Sequence, residues 1–379
     1  MKRVGYIYEK IYEKDNIRTA IYKAAKGKSA KRNVKFILDN IEVYVDKLHN
    51  ELKNETYRLS ENRIKYIKDG PRQKERIITV PAFYPDQVIH WALTLQIQNI
   101  MSKGMYYYNC GSVPGKGAIF AKKYVEKVLK TNPKYALKID IKKFFPSISN
   151  EKLKQLFKRK IKDEKVLRLI DAIIDNGGKG LPIGYYTSQW FSNFYLEELD
   201  HFIKEVIQIE HYVRYVDDMI LFSNNKRKLH QTKDMIEEFL AGNEYRIRIK
   251  DNWQVFQVSK RPIDFCGYQM RTGLTKLRKH IFIRLNKCSR KLSKKTTLKN
   301  ARSLVSMLGW LMHATNGKSY IQKHINPKSN VDALKRYIGR IQKYENNRIS
   351  SRANRTSSNY SQSRVNGFYT QEYTTNRAT

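Results

Sequence analysis

Two adjacent carboxylates, Asp217 and Asp218, separate the apolar runs His211-Tyr-Val-Arg-Tyr-Val216 and Met219-Ile-Leu-Phe222. An acidic pair is ordinarily a solvated turn. These flanks are rich in β-branched and aromatic residues, which predicts a strand–turn–strand with an acidic tip. Side by side on a rigid turn, two carboxylates repel unless a cation sits between them. The β-like stretch Lys134 to Asp140 also ends in a carboxylate and can supply the matching ligand. Hard Mg²⁺ prefers a few carboxylates together with phosphate and water oxygens. Two such ions about 4 Å apart stabilise the attacking and leaving oxygens of an in-line displacement.

The charge balance says what such a centre would act on. Among 379 residues, 74 Lys and Arg stand against 35 Asp and Glu, a net charge of +39. A field of that size repels itself and calls for a polyanionic partner. The 26 tyrosines among the basic residues suit stacking on unpaired bases. Membrane attachment is disfavoured, because the basic residues run from Lys2 to Arg377 instead of lining one amphipathic helix. No stretch approaches the roughly 20 apolar residues that span a bilayer. The charged start Met1-Lys2-Arg3 lacks a signal-peptide core, which predicts action where the chain is made, in the cytoplasm. Cys110, Cys266 and Cys288 stand far apart without metal-ligand spacing and read as buried, reduced thiols. Carboxylates and positive charge together point to nucleotidyl transfer.

Several elements must position these residues. The first 60 or so residues read mainly as helix, with Ile37, Ile41, Tyr44, Val45, Leu48 and Leu52 at helical spacing. Asp69-Gly70-Pro71 signals the turn of a basic hairpin that continues into Ile77-Ile78-Thr79-Val80. Helix is expected over 86–101, 150–175, 187–207 and 226–241, with loops at 111–117 and 176–180. Strands are expected over 211–222, broken by the acidic pair, and near 245–250, 253–258 and 263–270. The stretch 280–345 reads as basic helix. From Asn346 the chain turns to Ser, Asn, Thr, Arg and Tyr, which predicts a disordered tail over 346–379. Strands and helices mix without a regular βα alternation, so the expected class is α+β.

At this point the residues carry a family resemblance. Tyr215-Val216-Asp217-Asp218 resembles the YxDD box of reverse transcriptases, and Lys138-Ile-Asp140-Ile-Lys-Lys-Phe-Phe145 resembles their first acidic motif. Gly180-Leu-Pro-Ile-Gly184-Tyr-Tyr-Thr-Ser188-Gln189 resembles the motif between them, Arg72 to Pro81 the fingers segment, and Phe265-Cys266-Gly267-Tyr268 the primer-grip turn. The motifs follow the family's order over about residues 60–270.

The resemblance implies a right-hand polymerase, with fingers and palm over 1–275 and a helical thumb over 276–345. It implies catalysis by Asp140, Asp217 and Asp218, and two Mg²⁺ ions, with Mn²⁺ able to substitute, at Asp140, Ile141, Asp217 and Asp218. Nucleotide contacts fall on Arg72, Lys74, Arg76, Phe145, Ile183, Gly184, Gln189 and Lys250. Phe145 stands at the steric-gate position, where a core aromatic is the alternative reading; Lys250 stands as a candidate general acid toward pyrophosphate. Phe265, Cys266 and Gly267 form the primer grip.

One departure narrows the family. Reverse transcriptases usually carry QGxxxSP in the middle motif, whereas this chain has Ile183 in place of the Gln and Gln189 in place of the Pro. That pattern resembles the enzymes of diversity-generating retroelements, which copy a template RNA with frequent errors at adenines. Leu308-Gly309-Trp310-Leu311-Met312-His313-Ala314 resembles their thumb. A VTG signature like that of retron enzymes is absent. The implied partners are a structured template RNA, its RNA/cDNA duplex, dNTPs and a small basic accessory protein forming an oligomeric helical bundle; the implied setting is the cytoplasm of a bacterial or phage-infected cell. A defence-type polymerase that works without a template, and a non-catalytic RNA-binding protein of polymerase fold, remain the alternatives.

Overall fold

The basic hairpin forms as an antiparallel pair, β1 (Arg63–Asp69) and β2 (Lys74–Val80), with Ile67 opposite Arg76 and Arg63 opposite Val80. It belongs to a computed structural model that describes residues 3–70, 73–242 and 244–343. The helices on either side of the hairpin in the chain meet through their apolar faces. Ile17, Ala20, Ile21 and Ala24 of the helix Lys14–Ala25 are buried, as are Val88, Ala92 and Leu93 of the helix Val88–Ser102, and these two helices pack together.

The apolar runs around the aspartates become one antiparallel sheet in the order β4-β5-β3-β6, from β3 (Tyr135–Asp140), β4 (His211–Tyr215), β5 (Asp218–Ser223) and β6 (Gln254–Gln257). Leu137, Ile139, Met219, Ile220 and Leu221 are fully buried, so the two central strands are covered on both faces. The helix Lys226–Ala241 packs on β3 and β5, and the helix Ala118–Leu129 packs on β4. A separate three-stranded meander follows, with β7 (Ile263–Phe265), β8 (Tyr268–Arg271) and β9 (Leu274–Leu277).

The chain divides into two compact units, Met1–Arg278 and Lys279–Thr379. In the second unit the helices Lys279–Lys294 and Leu298–Leu311 pack through Leu285, Cys288, Leu292, Ala301, Leu304 and Leu308. The Thr297 hydroxyl caps the second helix by accepting from the Asn300 amide at 3.3 Å. Residues 331–343 are helical. All three cysteines are free thiols, with Cys110 and Cys288 buried and Cys266 half-buried. No helix among the described residues is long and apolar enough to cross a membrane.

Several expected elements differ in detail. The helix expected over 150–175 is two, Asn150–Lys160 and Glu164–Asn176, because Asp163 opens a new helix by accepting from the Val166 amide. The helix expected over 187–207 divides at Leu196 into Tyr186–Tyr195 and Glu197–His201, followed by a wider turn over Phe202–Val206. The run 263–270 is a hairpin, since Cys266 and Gly267 both take positive φ. No regular strand forms over 245–250: β6 already pairs with β3 from Tyr135 to Lys138, and only Ile249 bridges to Ile141. The expected tail, 346–379, lies outside the described residues, as does Arg72.

Candidate active site

The sheet brings the three aspartates to one end. Asp140 closes β3 directly opposite Asp218, which opens β5, and Tyr215 faces Asp218 from β4. Val216 and Asp217 therefore form the connecting turn. Burial, with the Asp140 carboxylate beside it, pushes Asp217 up to about 6. Burial also pushes Asp218 up to about 7, opposed by Lys138 and Arg278 and reinforced by Asp140 and Asp217. Crowded in this way, Asp217 and Asp218 hold protons that isolated carboxylates would release.

Two lysines share the acidic end. The ammonium of Lys250 pairs with Asp140 Oδ2, and the Lys250 amide donates to the Asp140 carbonyl at 2.8 Å. Lys138 Nζ stands 3.8 Å from Asp218 Oδ2 and donates to the Asp264 carbonyl at 2.6 Å. Even so, Asp140 Oδ1 and Asp218 Oδ1 are buried without a hydrogen-bond partner. Among the described residues no three Asp, Glu, His or Cys groups stand gathered as ready-made metal ligands. The two orphaned oxygens and the raised carboxylates nevertheless fit a hard cation, which would satisfy both at once.

The middle motif is threaded between this end and the hairpin. Gly180 has φ +74, and a Cβ there would lie 2.6 Å from the Phe145 carbonyl oxygen. The same carbonyl accepts from the Leu181 amide at 2.9 Å, so Gly180 lets the loop lie flat on the short helix Phe144–Ser147. The Phe145 ring is half-buried at the edge of the core. At Ile183 the carbonyl accepts from the Thr79 amide of β2 at 2.8 Å. Next to it, Gly184 has φ +126, and a Cβ there would lie 2.1 Å from the Thr79 carbonyl oxygen and 3.2 Å from Ile78 Cγ2. The Ile78 face of β2 is thus turned toward the motif, and Arg76, exposed, lies two residues along on that same face. Gln189 accepts from the Ser112 hydroxyl at 2.8 Å, which ties it to the Gly111–Gly117 loop. Lys74 belongs to β2 by its backbone.

The Phe265–Gly267 turn lies beside Asp218. Burial and the nearby Asp218 carboxylate raise the Cys266 thiol above its ordinary range. Phe265 is fully buried, and the Gly267 carbonyl accepts from the Arg278 amide at 3.0 Å.

Sequence reasoning missed four residues beneath the acidic turn: Lys138, Asn193, Asp200 and Arg214. Arg214 and Asp200 form an ion pair with no exposed side-chain surface. The available signal was an arginine at the centre of the apolar run Tyr-Val-Arg-Tyr-Val, where a charge requires a buried partner.

The acidic end of the sheet lies within the stretch of chain that a known family matches. The family model for reverse transcriptase (RNA-dependent DNA polymerase) matches residues 67–270, and the chain belongs to this family. It is 33% identical over 132 residues to the retron Ec73 reverse transcriptase of Escherichia coli. That match takes in 31% of this chain and 42% of the retron protein, less than half its length. Among solved structures, telomerase from Candida albicans in complex with a TWJ fragment of telomeric RNA is 15% identical, with a TM-score of 0.45 over 75% of this chain and 61% of that one. Apo telomerase from Candida tropicalis is 16% identical, with a TM-score of 0.45 over 66% of this chain and 51% of that one.

Proposed function

We propose that this protein is an RNA-directed DNA polymerase that makes cDNA from a structured template RNA, and that it is error-prone at template adenines, as in a diversity-generating retroelement. The observation that carries the polymerase reading is the register that sets Asp140 opposite Asp218, with Asp217 on the turn between.

In this reading, Asp140, Asp217, Asp218 and the main chain at Ile141 hold divalent metal. Two bound Mg²⁺ ions, or Mn²⁺ in their place, supply activation of the primer 3′ oxygen and charge neutralisation at the leaving pyrophosphate. Arg76, with Arg72 and Lys74, binds the triphosphate by charge-assisted hydrogen bonds. Phe145 packs under the deoxyribose and excludes a 2′-hydroxyl. Lys250 Nζ releases Asp140 and gives its proton to pyrophosphate. Phe265, Cys266 and Gly267 support the primer end, and the basic helices after residue 278 grip the duplex as a thumb. Template RNA, dNTPs and a small basic helical-bundle protein are the partners, in the cytoplasm of a bacterial or phage-infected cell.

The test is incorporation of labelled dNTPs on a primed RNA with Mg²⁺. Asp217→Ala with Asp218→Ala removes incorporation while RNA binding stays within about threefold, because phosphate contacts made elsewhere carry affinity. Surviving synthesis would move the metal site elsewhere, and incorporation that ignores template sequence would favour a defence-type enzyme.

The error-prone reading rests on Ile183 and Gln189. Ile183 is held by its backbone to β2, and its aliphatic side chain leaves no polar group where the family usually has a glutamine. Ile183→Gln lowers misincorporation opposite adenine about tenfold if that group contributes roughly 1.4 kcal/mol of discrimination. An unchanged error spectrum defeats the idea. The partial identity with a retron enzyme favours a second reading, priming from a retron-type RNA. Sequencing the cDNA made on the RNA encoded beside the gene separates the two: errors concentrated at template adenines identify the diversity-generating type, and their absence favours the retron type.

A further inference from the structure

The turn that carries Asp217 is strained. Val216, a β-branched residue, takes φ +59, in the left-handed region that such side chains avoid. Strain of this kind persists only where the surroundings hold it in place. The Val216 carbonyl accepts from Arg214 Nη1 at 2.9 Å. The same guanidinium is engaged at every nitrogen. Nε donates to Asp200 Oδ1 at 2.7 Å, Nη2 pairs with Asp200 Oδ2, and Nη1 also reaches Asn193 Oδ1 at 3.2 Å.

The outer ring of the network is equally specific. The Tyr212 hydroxyl donates to Asp200 Oδ1 at 2.8 Å, and Asn193 Nδ2 donates to the Gly111 carbonyl at 2.6 Å. Gly111 lies directly against the turn, since a Cβ on it would be 2.5 Å from Val216 Cγ2. A buried ion pair is a poor source of stability, because apolar residues of similar volume do as well or better. What apolar residues cannot do is aim a planar donor at one backbone carbonyl while gripping a carboxylate.

We infer that Arg214 and Asp200 form a clamp that fixes the Val216–Asp217 turn and so sets where the Asp217 carboxylate points. They are positioning residues for the nucleotidyl transfer proposed above, and the inference rests on that reading. Neither touches the substrate. A lysine at 214 keeps the charge for Asp200, but it lacks the fork that serves Asp200, Asn193 and Val216 together.

The test uses the full chain with Arg214→Met, Asp200→Leu and Tyr212→Phe combined, which removes both charges and the dependent hydroxyl so that no buried charge is stranded. Single-nucleotide addition on a primed RNA should lose about 100-fold in kcat, as expected for a reacting group displaced by roughly 1 Å. The KM for dNTP should move less than about threefold, because an interaction made only in the transition state is the one removed. In metal-free protein, amide hydrogen exchange over 216–218 should accelerate about tenfold or more as the turn loosens.

Wild-type kcat and wild-type exchange in a folded triple variant overturn the clamp. If that variant does not fold, Arg214→Lys is read in its place, with the same two outcomes. If wild-type protein adds no nucleotide, the polymerase reading fails; the exchange comparison still decides the clamp, since an unchanged turn overturns it and a loosened one supports it.

Discussion

At the level of single residues, the acidic end makes stability depend on pH in an unusual direction. Asp217 and Asp218 have folded-state values raised to about 6 and about 7 by burial, with the neighbouring Asp140 carboxylate adding to both. Raised carboxylates bind more protons folded than unfolded, so their contribution falls as pH rises from about 4, the unfolded value, to above about 7. Metal-free protein should therefore lose thermal stability across that window relative to Asp217→Asn with Asp218→Asn, whose curve is flatter. Parallel melting curves for the two proteins between pH 4 and 8 would remove the effect. These aspartates were legible in the sequence because acids rarely interrupt β-rich apolar runs without a reason. Arg214 and Asp200 were not, because they pair across 14 positions and nothing local links an arginine in a strand to an aspartate on a preceding helix. From the sequence Lys250 reads as a contact to the nucleotide; its ion pair with Asp140 emerges only when residues 249 and 141 are bridged.

Among the elements, the joint between the middle motif and β2 is the tightest. Gly184 combines φ +126 with a backbone oxygen 2.1 Å from any added Cβ, so the strand or the loop must move to admit a methyl group. Gly184→Ala should lower stability by about 2 kcal/mol or more. It should also raise the KM for dNTP, by shifting the strand that carries Arg76. Gly309 supplies the opposite case. It lies inside the helix Leu298–Leu311 with open space around it, and Gly309→Ala should add about 0.5–1 kcal/mol through helix propensity. Urea unfolding of both variants checks the two signs together. Periodicity dictates which residues are buried more firmly than which strands pair. Tyr245, Ile247 and Ile249 are buried and Arg246 and Arg248 exposed, as alternation over 245–250 implies. The ladder fails there because Arg246 takes φ +52 and the flank of β3 is already occupied. Strand β9 escaped notice because Leu274-Thr-Lys-Leu277 is short and polar, and only pairing with β8 makes it a strand.

For the whole molecule, charge is the governing property. With a net +39, binding to primed RNA should fall about a thousandfold between roughly 50 and 200 mM salt if about six or more phosphates are neutralised. Filter binding over that range gives the slope directly, and a flat response would remove phosphate contacts as the source of affinity. Asp217→Ala with Asp218→Ala should leave this slope unchanged, separating grip from chemistry. Composition alone made the polyanionic partner legible, because charge needs no fold to be counted. Which basic residues line a path for RNA depends on how the chain folds, and 74 of them spread along the whole length leave no local pattern to read.

The outer side of β4 has one more consequence. The Arg214 amide donates to the Tyr108 carbonyl at 3.1 Å, and the Arg214 carbonyl accepts from the Cys110 amide at 2.9 Å. The Tyr212 carbonyl accepts from the Tyr106 hydroxyl at 2.7 Å. The other edge strand, β6, spans only Gln254–Gln257, and its final carbonyl accepts from the Arg261 amide. Neither border offers a long row of free donors and acceptors to a neighbour's strand. When many copies crowd on one polyanion, this four-stranded sheet therefore has no long free border along which to zip to its neighbours, a safeguard that so basic a protein needs wherever nucleic acid concentrates it.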